Sequence, residues 1–285
     1  MNNGSDKKRV AIIGCGYVGC ALGEALVRDG HSVVGTTTTP DRFAEIEAVG
    51  VKPMLVELSQ VDEMRTLLRD RDVAYLTVSA GSRRADYRRV YLDGVTNVLS
   101  AVSRTSAARI IYTSSTQVYG QDDGSWVDES SRTRPRTENG RILLAAENAL
   151  LDGAEELSLA AGVCATAVRL GGIHGPGRDL AQRIRAASGQ TRSDGDTFVN
   201  LIHRDDIVEA LLRLADVPFE GALNLTDGAP RPRREIYDYV INAAGLARIK
   251  WEPGGEGIDL GKRVRNARAR EILGVSPVPF LPADR

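Results

Sequence analysis

A glycine-rich segment near the amino terminus limits what this chain can fold into more than any other feature. Positions 14–19 have the sequence GCGYVG and follow directly on the β-branched run 10–13. The amphipathic pattern of a helix, 18–29, begins inside the segment. A strand, a turn with this glycine spacing and a helix are together typical of the unit that binds the pyrophosphate of a dinucleotide. The segment therefore predicts a dinucleotide site.

The three glycines have separate physical roles in such a turn. Gly14 allows the tight turn after the strand, Gly16 has no side chain to keep a pyrophosphate away, and Gly19 allows close packing of helix on strand. Unpaired N–H groups and the positive end of the helix dipole favour the phosphates. The predicted cofactor contacts lie on this turn and after the later strands: Gly14, Gly16, Tyr17, Val18, Gly19, Thr36, Thr37, Thr38, Arg42, Glu57, Leu58, Ser79, Ala80, Gly81 and Ser114.

The end of the second predicted strand indicates which dinucleotide is bound. An acidic residue there would hydrogen-bond the ribose 2′-hydroxyl of NAD. The sequence instead has threonines at 36–39, followed by Arg42, which is suited to a 2′-phosphate. Asp41 lies next to Arg42, so NAD stays open. We expect NADP as the preferred cofactor and NAD as the alternative.

Short β-branched runs alternate with longer amphipathic stretches through the first 170 residues. This alternation predicts an α/β protein with a Rossmann-type, doubly wound parallel sheet. We expect a dinucleotide-binding domain over 7–170, to which a segment of about 197–227 returns. A smaller C-terminal substrate lobe is predicted from 171–196 and 228–285. Within that lobe, 171–178 is predicted as a loop and 262–273 as a helix.

The charge balance and the counts of metal-binding residue types exclude several function classes. The 285-residue chain has a formal net charge of -1, so we expect no nucleic-acid partner. Three histidines and three cysteines without ligand spacing predict no metal site. No apolar run approaches the ~20 residues that span a bilayer, and the amino terminus lacks a signal-peptide core. We therefore expect a cytoplasmic protein without membrane contact that acts on a small molecule.

Four further segments resemble one family. They are SSTQVYG at 114–120, VYLDGVTNVL at 90–99, RLGGIHGPGR at 169–178 and NLIHRDD at 200–206. Taken in their order along the chain, the four segments resemble motifs of the extended short-chain dehydrogenase/reductases, the NAD(P)-dependent epimerase/dehydratase family. The resemblance runs over nearly the whole chain. It implies the fold described above and a nicotinamide cofactor, but function depends on the site itself.

The resemblance also implies a catalytic Ser or Thr, a Tyr and a Lys, and two of these are missing. Ser115 takes the Ser position, whereas Asn139 and Leu143 stand where the Tyr and Lys are expected. Asn does not titrate and Leu carries no charge, so the usual acid–base pair is lost. The dehydratase branch has an acid pair where this chain has Thr116 and Gln117, which disfavours sugar dehydration. The chain resembles an atypical, YeeZ-like subgroup of this family.

Other residues are candidates for the missing proton donor. His174 lies in the loop that the resemblance places near the nicotinamide, and histidine titrates in the useful range. An alternative role for His174 is a hydrogen bond to loop backbone. Tyr119 is close to Ser115 in the chain, although packing at the strand end is the alternative role. The predicted substrate contacts are Thr116, Gln117, Asn139, Arg141 and Arg178.

Two functions from different classes follow. The first is an oxidoreductase or epimerase-type enzyme that uses a non-standard proton donor on a small polar carbonyl or hydroxyl substrate, of which a sugar nucleotide is one type. The second is a non-catalytic NAD(P)-binding redox sensor or scaffold, which the residues Asn139 and Leu143 favour. The resemblance further implies a homodimer that pairs through two long helices, predicted over 86–103 and 141–161.

Overall fold

The computed structural model describes residues 6–81, 87–102, 108–255 and 257–282. The backbone divides into two compact units. The first contains Met1–Val118, Pro135–Arg169 and Val208–Leu223, and the second contains Tyr119–Arg134, Leu170–Ile207 and Asn224–Arg285. The returning segment of the first unit is thus shorter than the predicted 197–227. Residues 119–134, which fall within the predicted 7–170, belong to the second unit.

The strands and helices follow one another along the chain, and each is numbered in chain order. The strands are β1 (Arg9–Ile13), β2 (Ser32–Thr37), β3 (Lys52–Leu55), β4 (Val73–Leu76), β5 (Arg109–Ser115), β6 (Trp126–Val127), β7 (Cys164–Leu170), β8 (Gly172–His174), β9 (Thr191–Arg192), β10 (Phe198–Val199), β11 (Leu201–His203), β12 (Gly221–Leu225), β13 (Arg231–Pro232), β14 (Lys250–Trp251) and β15 (Arg263–Val264). The helices are α1 (Tyr17–Arg28), α2 (Phe43–Ala48), α3 (Val61–Leu68), α4 (Gly94–Ala101), α5 (Glu138–Ala161), α6 (Leu180–Arg185), α7 (Arg204–Asp216), α8 (Arg233–Ala243) and α9 (Ala267–Leu273).

A seven-stranded sheet forms the centre of the fold, with the strand order β12-β7-β5-β4-β1-β2-β3. The ladders that join β1 to β2, β1 to β4, β2 to β3 and β4 to β5 are parallel. The chain leaves β1 toward β2 and β3 on one side and continues through β4 and β5 on the other. This reversal is the topological switch point at which doubly wound sheets bind ligands. The predicted Rossmann-type α/β fold is confirmed.

The core of the first unit lies between the sheet and its helices. Strands β1 and β4 are buried along almost their whole length, as expected where helices cover both faces of a parallel sheet. Helices α4 and α5 pack closely where Gly153 of α5 meets Leu99 of α4. A Cβ at Gly153 would lie only 2.8 Å from Leu99 Cδ1. Residues 89–93, before α4, are π-helical. The ends of the predicted helix 86–103 lie outside the described residues, and pairing of two copies through α4 and α5 stays a prediction.

The second unit has its own core and several short ladders. Apolar side chains of α6 and α8 pack together around Ile184, Ile236 and Ile241.

Two predictions for the second unit are wrong. The segment 171–178 contains β8, which pairs with β11, and the start of the predicted helix 262–273 is β15, which pairs with β6. Around 263–265 the side chains alternate between polar and buried, with Val264 fully buried, so the period is that of a strand.

Among the described residues, no helix is both long enough and apolar enough to cross a membrane.

A buried ion pair joins β5, α5 and β7 in the first unit. The Arg169 guanidinium donates to both carboxylate oxygens of Glu147, with Nε 3.0 and 3.1 Å from them. The Ser114 hydroxyl donates to the same carboxylate over 3.0 Å. Glu147 is only 1% exposed, so its charge depends on these partners rather than on water. The cluster therefore fixes α5 against the ends of two central strands.

Removing one charge of this cluster should be costly. We expect Glu147→Ala to lower the free energy of unfolding by about 3–5 kcal/mol, because it removes the carboxylate to which the buried Arg169 guanidinium and the Ser114 hydroxyl donate. Urea denaturation followed by circular dichroism measures the change. Glu138→Ala on the same helix is the matched control, because the Glu138–Arg141 pair is solvent-exposed, and it should cost less than about 1 kcal/mol. Equal losses in the two variants would contradict the assignment.

Candidate functional site

The glycine-rich turn is held by hydrogen bonds from the two strands that flank β1. The Gly14 N–H donates to Thr36 Oγ1 over 3.0 Å, and the Gly14 carbonyl accepts from Thr77 Oγ1 over 2.8 Å. The Cys15 N–H donates to the Thr36 carbonyl over 2.8 Å. The turn is thus fixed at the carboxyl end of β1, between β2 and β4.

The space around the three glycines differs in a way that matters for ligand binding. Gly14 has a φ of +93°, where side chains are strained, and a Cβ there would lie 3.0 Å from Val78. A Cβ at Gly19 would lie 2.5 Å from the Gly14 carbonyl oxygen, so α1 packs directly on the turn. A Cβ at Gly16 would have nothing nearer than the Gly14 carbonyl oxygen at 4.0 Å. Gly16 therefore borders open space, which fits the approach of a pyrophosphate.

The end of β2 is occupied by threonines and an arginine. Thr36 and Thr37 are buried, and the Thr37 hydroxyl hydrogen-bonds the Thr39 backbone N–H over 3.1 Å. The Thr36 hydroxyl braces the turn, so it points into the fold, whereas Thr38 is exposed. Arg42 Nη1 donates to the Cys15 carbonyl over 2.7 Å. A guanidinium group, rather than a carboxylate, therefore borders the turn on this side.

The other predicted cofactor contacts also lie at the carboxyl edge of the sheet. Tyr17 and Val18 lie in the first turn of α1, at the helix end that favours an anion. Glu57 and Leu58 follow β3, and the Leu58 carbonyl accepts from Asn97 Nδ2. Ser79, Ala80 and Gly81 follow β4, and Ser114 near the end of β5 is engaged by Glu147.

Ser115 ends β5 next to the first turn of α5. The Ser115 hydroxyl accepts from the Gln117 N–H over 3.2 Å, and the 3-10 turn Thr116–Val118 follows. Thr137 caps α5 by accepting from the Gly140 N–H over 3.1 Å. A Cβ at Gly140 would lie 2.8 Å from the Gln117 carbonyl oxygen, so the helix start abuts this turn. The fold therefore brings Ser115, Thr116, Gln117 and Asn139 into one region.

The residues at the two expected catalytic positions differ in exposure. Asn139 is partly exposed, whereas Leu143, one turn later, is 2% exposed and belongs to the packed interior. The predicted substrate contact Arg141 is exposed, where it pairs with Glu138 and donates to the Arg136 carbonyl. Leu143 therefore fills space with apolar packing, and nothing at Asn139 or Leu143 can carry a proton.

His174 ends β8 in the second unit and is 8% exposed. Its ring makes edge-to-face contacts with His203 and Phe280, each with centroids 5.1 Å apart. Within the described part of the chain, its Nε2 atom has no hydrogen-bond partner. Burial, with smaller contributions from His203 and Arg183, lowers the pKa of His174 to about 4. The imidazole is therefore neutral at physiological pH and has one unused nitrogen.

Tyr119 is also in the second unit, and its hydroxyl is buried. The hydroxyl oxygen lies 2.8 Å from the Asp128 carbonyl oxygen and 2.9 Å from Asn224 Oδ1. The backbone carbonyl of Tyr119 accepts from Lys262 Nζ over 3.1 Å. These contacts correspond to the packing role rather than to a free acid. Arg178 forms a backbone bridge with Gly175 in the loop after β8.

One cluster in the second unit was missed by the sequence analysis. The guanidinium groups of Arg263 and Arg265 lie 5.1 and 4.8 Å from the ring centroid of Trp126, which is 41% exposed. Phe198 lies on Arg263 at 4.9 Å. The segment that contains both arginines was predicted as a helix, whereas Arg263 lies in β15 and Arg265 follows it. The spacing of Arg263 and Arg265, two residues apart around buried Val264, is the signal that indicates a strand.

The comparison with protein-family models gives one match. Residues 10–225 match the NAD dependent epimerase/dehydratase family, which is about three quarters of the chain. The chain belongs to this family. Among curated proteins it is similar to Protein YeeZ of Escherichia coli strain K12, with 31% identity over 245 residues that cover 84% of this chain and 85% of YeeZ. The predicted resemblance to the epimerase/dehydratase family and its YeeZ-like subgroup is confirmed.

Solved structures of this architecture agree with the sheet topology. MoeE5 in complex with UDP-glucose and NAD superposes with a TM-score of 0.80 at 21% identity, covering 96% of this chain and 94% of that one. UDP-glucose 4-epimerase from Thermotoga maritima, solved with UDP-glucose, superposes with a TM-score of 0.79 at 16% identity, covering 94% and 93%. At these identities the likeness establishes the fold alone.

Substitution by alanine should affect stability differently at Gly16 and at Gly19 of the glycine-rich turn. Gly19→Ala should lower the free energy of unfolding by about 1–3 kcal/mol, because its Cβ overlaps the Gly14 carbonyl. Gly16→Ala should change it by less than about 0.5 kcal/mol, because the methyl enters open space. Chemical denaturation of both variants measures the difference. A Gly16→Ala loss as large as that of Gly19→Ala would show that Gly16 does not border open space.

Proposed function

We propose that this chain binds NADP, or NAD with lower affinity, on the turn at residues 14–19. The observation that carries this proposal is the open space at Gly16 beside the first turn of α1. A negatively charged pyrophosphate placed there meets backbone N–H groups and the positive end of a twelve-residue helix. The NAD in the MoeE5 complex supports the same class of cofactor.

Arg42 supports the preference for NADP. Its guanidinium borders the turn and is partly exposed, and no carboxylate ends β2. Glu45 pairs with Arg42 from the outer side, with Nη2 2.9 Å from Oε1 and Nε 3.1 Å from Oε2. A 2′-phosphate would compete with this exposed carboxylate for the same donors. Because a phosphate offers more acceptor oxygens and more charge, the exchange favours NADP.

We further propose that the chain is an oxidoreductase or epimerase-type enzyme with His174 as its proton-exchanging group. The bound dinucleotide supplies the hydride acceptor or donor. Neutral His174 has an unpartnered Nε2 that can accept the proton of a substrate hydroxyl as it becomes a carbonyl, and can return it in the reverse direction.

A sugar nucleotide is the proposed type of substrate. Trp126 is 41% exposed, and Arg263 and Arg265 supply positive charge over its ring. This combination suits a ligand with a flat base and a diphosphate. The UDP-glucose in the MoeE5 and Thermotoga maritima complexes supports the same class.

A second candidate function is a non-catalytic NAD(P)-binding redox sensor or scaffold. The observation that favours it is Leu143, which is 2% exposed where the family's lysine is expected. A protein that does not catalyse a reaction needs no lysine at position 143, so an apolar side chain can pack there. Such a protein would bind the dinucleotide tightly and change a partner's affinity with the oxidation state of the nicotinamide, without turning over a substrate.

Cofactor preference should depend on Arg42. We expect Arg42→Ala to weaken NADP binding at least ~10-fold, because charge-assisted hydrogen bonds to the 2′-phosphate are lost. NAD binding should change less than about twofold. Isothermal titration calorimetry with both dinucleotides measures the two affinities. Arg65→Ala is the matched control, since that exposed arginine pairs only locally with Asp62. An equal loss for NAD and NADP would contradict the assignment of Arg42 to the 2′-phosphate.

Turnover should depend on His174 more than binding does. UDP-glucose and UDP-glucuronic acid with NADP or NAD, and small carbonyl compounds with NADPH, are assayed for net oxidation or reduction by nicotinamide absorbance. Epimerisation of the two sugar nucleotides, which leaves the absorbance unchanged, is assayed by NMR of the products. His174→Gln should lower kcat ~100-fold or more and leave dinucleotide affinity unchanged. Because the pKa of His174 is about 4, oxidation by the wild type should persist to acid pH and fall only as pH drops toward 4. Tight dinucleotide binding without any turnover would instead favour the sensor.

A further inference from the structure

The two cysteines of the glycine-rich unit lie against each other and against Arg42. Cys15 follows Gly14 in the turn and is 1% exposed, whereas Cys20 lies in the first turns of α1 and is half-buried. The Cys20 thiol lies 3.2 Å from the Cys15 carbonyl oxygen, to which it donates. Arg42 Nη2 lies 3.7 Å from Cys20 Sγ. Two thiols and a guanidinium therefore meet at one end of the cofactor turn.

The surroundings of Cys20 favour its thiolate. The Cys15 thiol, as a hydrogen-bond donor, and the nearby Arg42 charge lower the pKa of Cys20 to about 7. The same hydrogen bond, together with burial, raises the pKa of Cys15. A partly exposed, acidic thiol beside a buried, protonated one is the arrangement of a nucleophilic cysteine with a resolving cysteine.

We propose that Cys20 is a peroxide-sensitive thiol that forms a disulfide with Cys15, and that this disulfide weakens dinucleotide binding. The Cys20 thiolate attacks a hydroperoxide oxygen, so that an S–O bond forms, the O–O bond breaks, and the departing hydroxide or alkoxide takes a proton. Cys15 sulfur then attacks the sulfenic acid at Cys20. The S–S bond forms, the S–O bond breaks, and the hydroxyl leaves as water with the Cys15 proton.

The disulfide would disturb the turn because Cys15 has a fixed position in the reduced protein. A Cβ at Gly35 would lie only 2.2 Å from Cys15 Sγ, so the sulfur rests directly on β2. The Cys15 carbonyl also accepts from Arg42 Nη1. Drawing Cys15 Sγ toward Cys20 lifts it from Gly35 and strains both contacts. The N–H groups beside Gly16, which the pyrophosphate needs, would move with the Cys15 peptide.

The oxidation half of this proposal is tested without any cofactor. The whole protein is treated with hydrogen peroxide, free thiols are alkylated, and peptide mass spectrometry locates the disulfide. We expect loss of two thiols per chain, a Cys15–Cys20 link that dithiothreitol reverses, and an unreacted Cys164. Cys15→Ser should stop the reaction at a dimedone-trapped sulfenic acid on Cys20. Cys20 that reacts no faster than Cys164, or a sulfenic acid that never proceeds to the disulfide in the wild type, would overturn the proposal.

Cys164→Ser is the matched control. Cys164 lies elsewhere in the first unit, where its thiol donates to the Phe219 carbonyl over 3.2 Å and burial raises its pKa. This variant should form the Cys15–Cys20 disulfide as the wild type does.

The rate of iodoacetamide alkylation of Cys20, measured against pH, is a second test. The midpoint of the alkylation rate against pH should lie near pH 7. In Arg42→Lys it should rise by about one pH unit, because an ammonium group lacks the forked donors of the guanidinium. A midpoint near the ordinary cysteine value in both proteins would overturn the role of Arg42.

The binding half of the proposal rests on the proposed function. Oxidised and reduced protein are titrated with NADPH, and we expect at least a ~10-fold weaker affinity after oxidation. Dithiothreitol should restore it, and Cys164→Ser should behave as the wild type does. If the disulfide forms and the affinity is unchanged, control of binding is overturned. If neither form binds NADPH, the proposed function fails, while the thiol chemistry stands or falls on the mass spectra.

Discussion

The close packing of α1 against the carboxyl end of β1 at Gly19 determines most of what this protein can bind. No side chain fits between helix and turn there, because a Cβ would lie 2.5 Å from the Gly14 carbonyl oxygen. The Thr36 hydroxyl in β2 accepts from the Gly14 N–H, and the Thr77 hydroxyl just after β4 donates to the Gly14 carbonyl. The helix amino terminus therefore stands at the switch point of the sheet with Gly16 open beside it. The proposed anion site is therefore built from backbone, and in the proposal side chains such as Arg42 select the anion.

Sequence alone predicted the first unit well because its signals are local. The pattern of a β-branched run, a glycine turn and an amphipathic helix placed β1 and α1 within one residue of their ends. The second unit was harder, because its strands have two or three residues and pair far along the chain. β15 was predicted as helix, since arginines around Val264 satisfy a helical face as readily as a strand. Only its pairing with β6 decides between the two.

The candidate site shows the same division. Gly14, Gly16 and Gly19 carry their roles in their spacing, so the sequence identified them. The predicted threonines were less informative, because burial turned the Thr36 hydroxyl toward the turn and left Thr38 exposed. Nothing in the sequence indicated that the Tyr119 hydroxyl would be buried against Asn224, or that His174 Nε2 would be buried without a partner. Those outcomes depend on contacts between distant segments.

The buried Leu143 explains why this chain departs from the catalytic pattern of its family. A lysine at position 143 would bury an unpaired charge within apolar packing, which costs ~3–5 kcal/mol. The helix α5 instead carries its buried charge one turn later, at Glu147, where Arg169 and Ser114 satisfy it. The buried charge of α5 therefore serves the stability of the helix, and the proposed proton exchange is assigned to a residue outside it.

A crystal structure of the protein grown with saturating NADPH would test the central claim most directly. The account predicts pyrophosphate density over Gly16, with phosphate oxygens within hydrogen-bond distance of N–H groups in the first turn of α1. It also predicts that the 2′-phosphate accepts from the Arg42 guanidinium and displaces the Glu45 carboxylate from it. A turn that stays empty at saturating NADPH, or a dinucleotide bound away from residues 14–19, would contradict it.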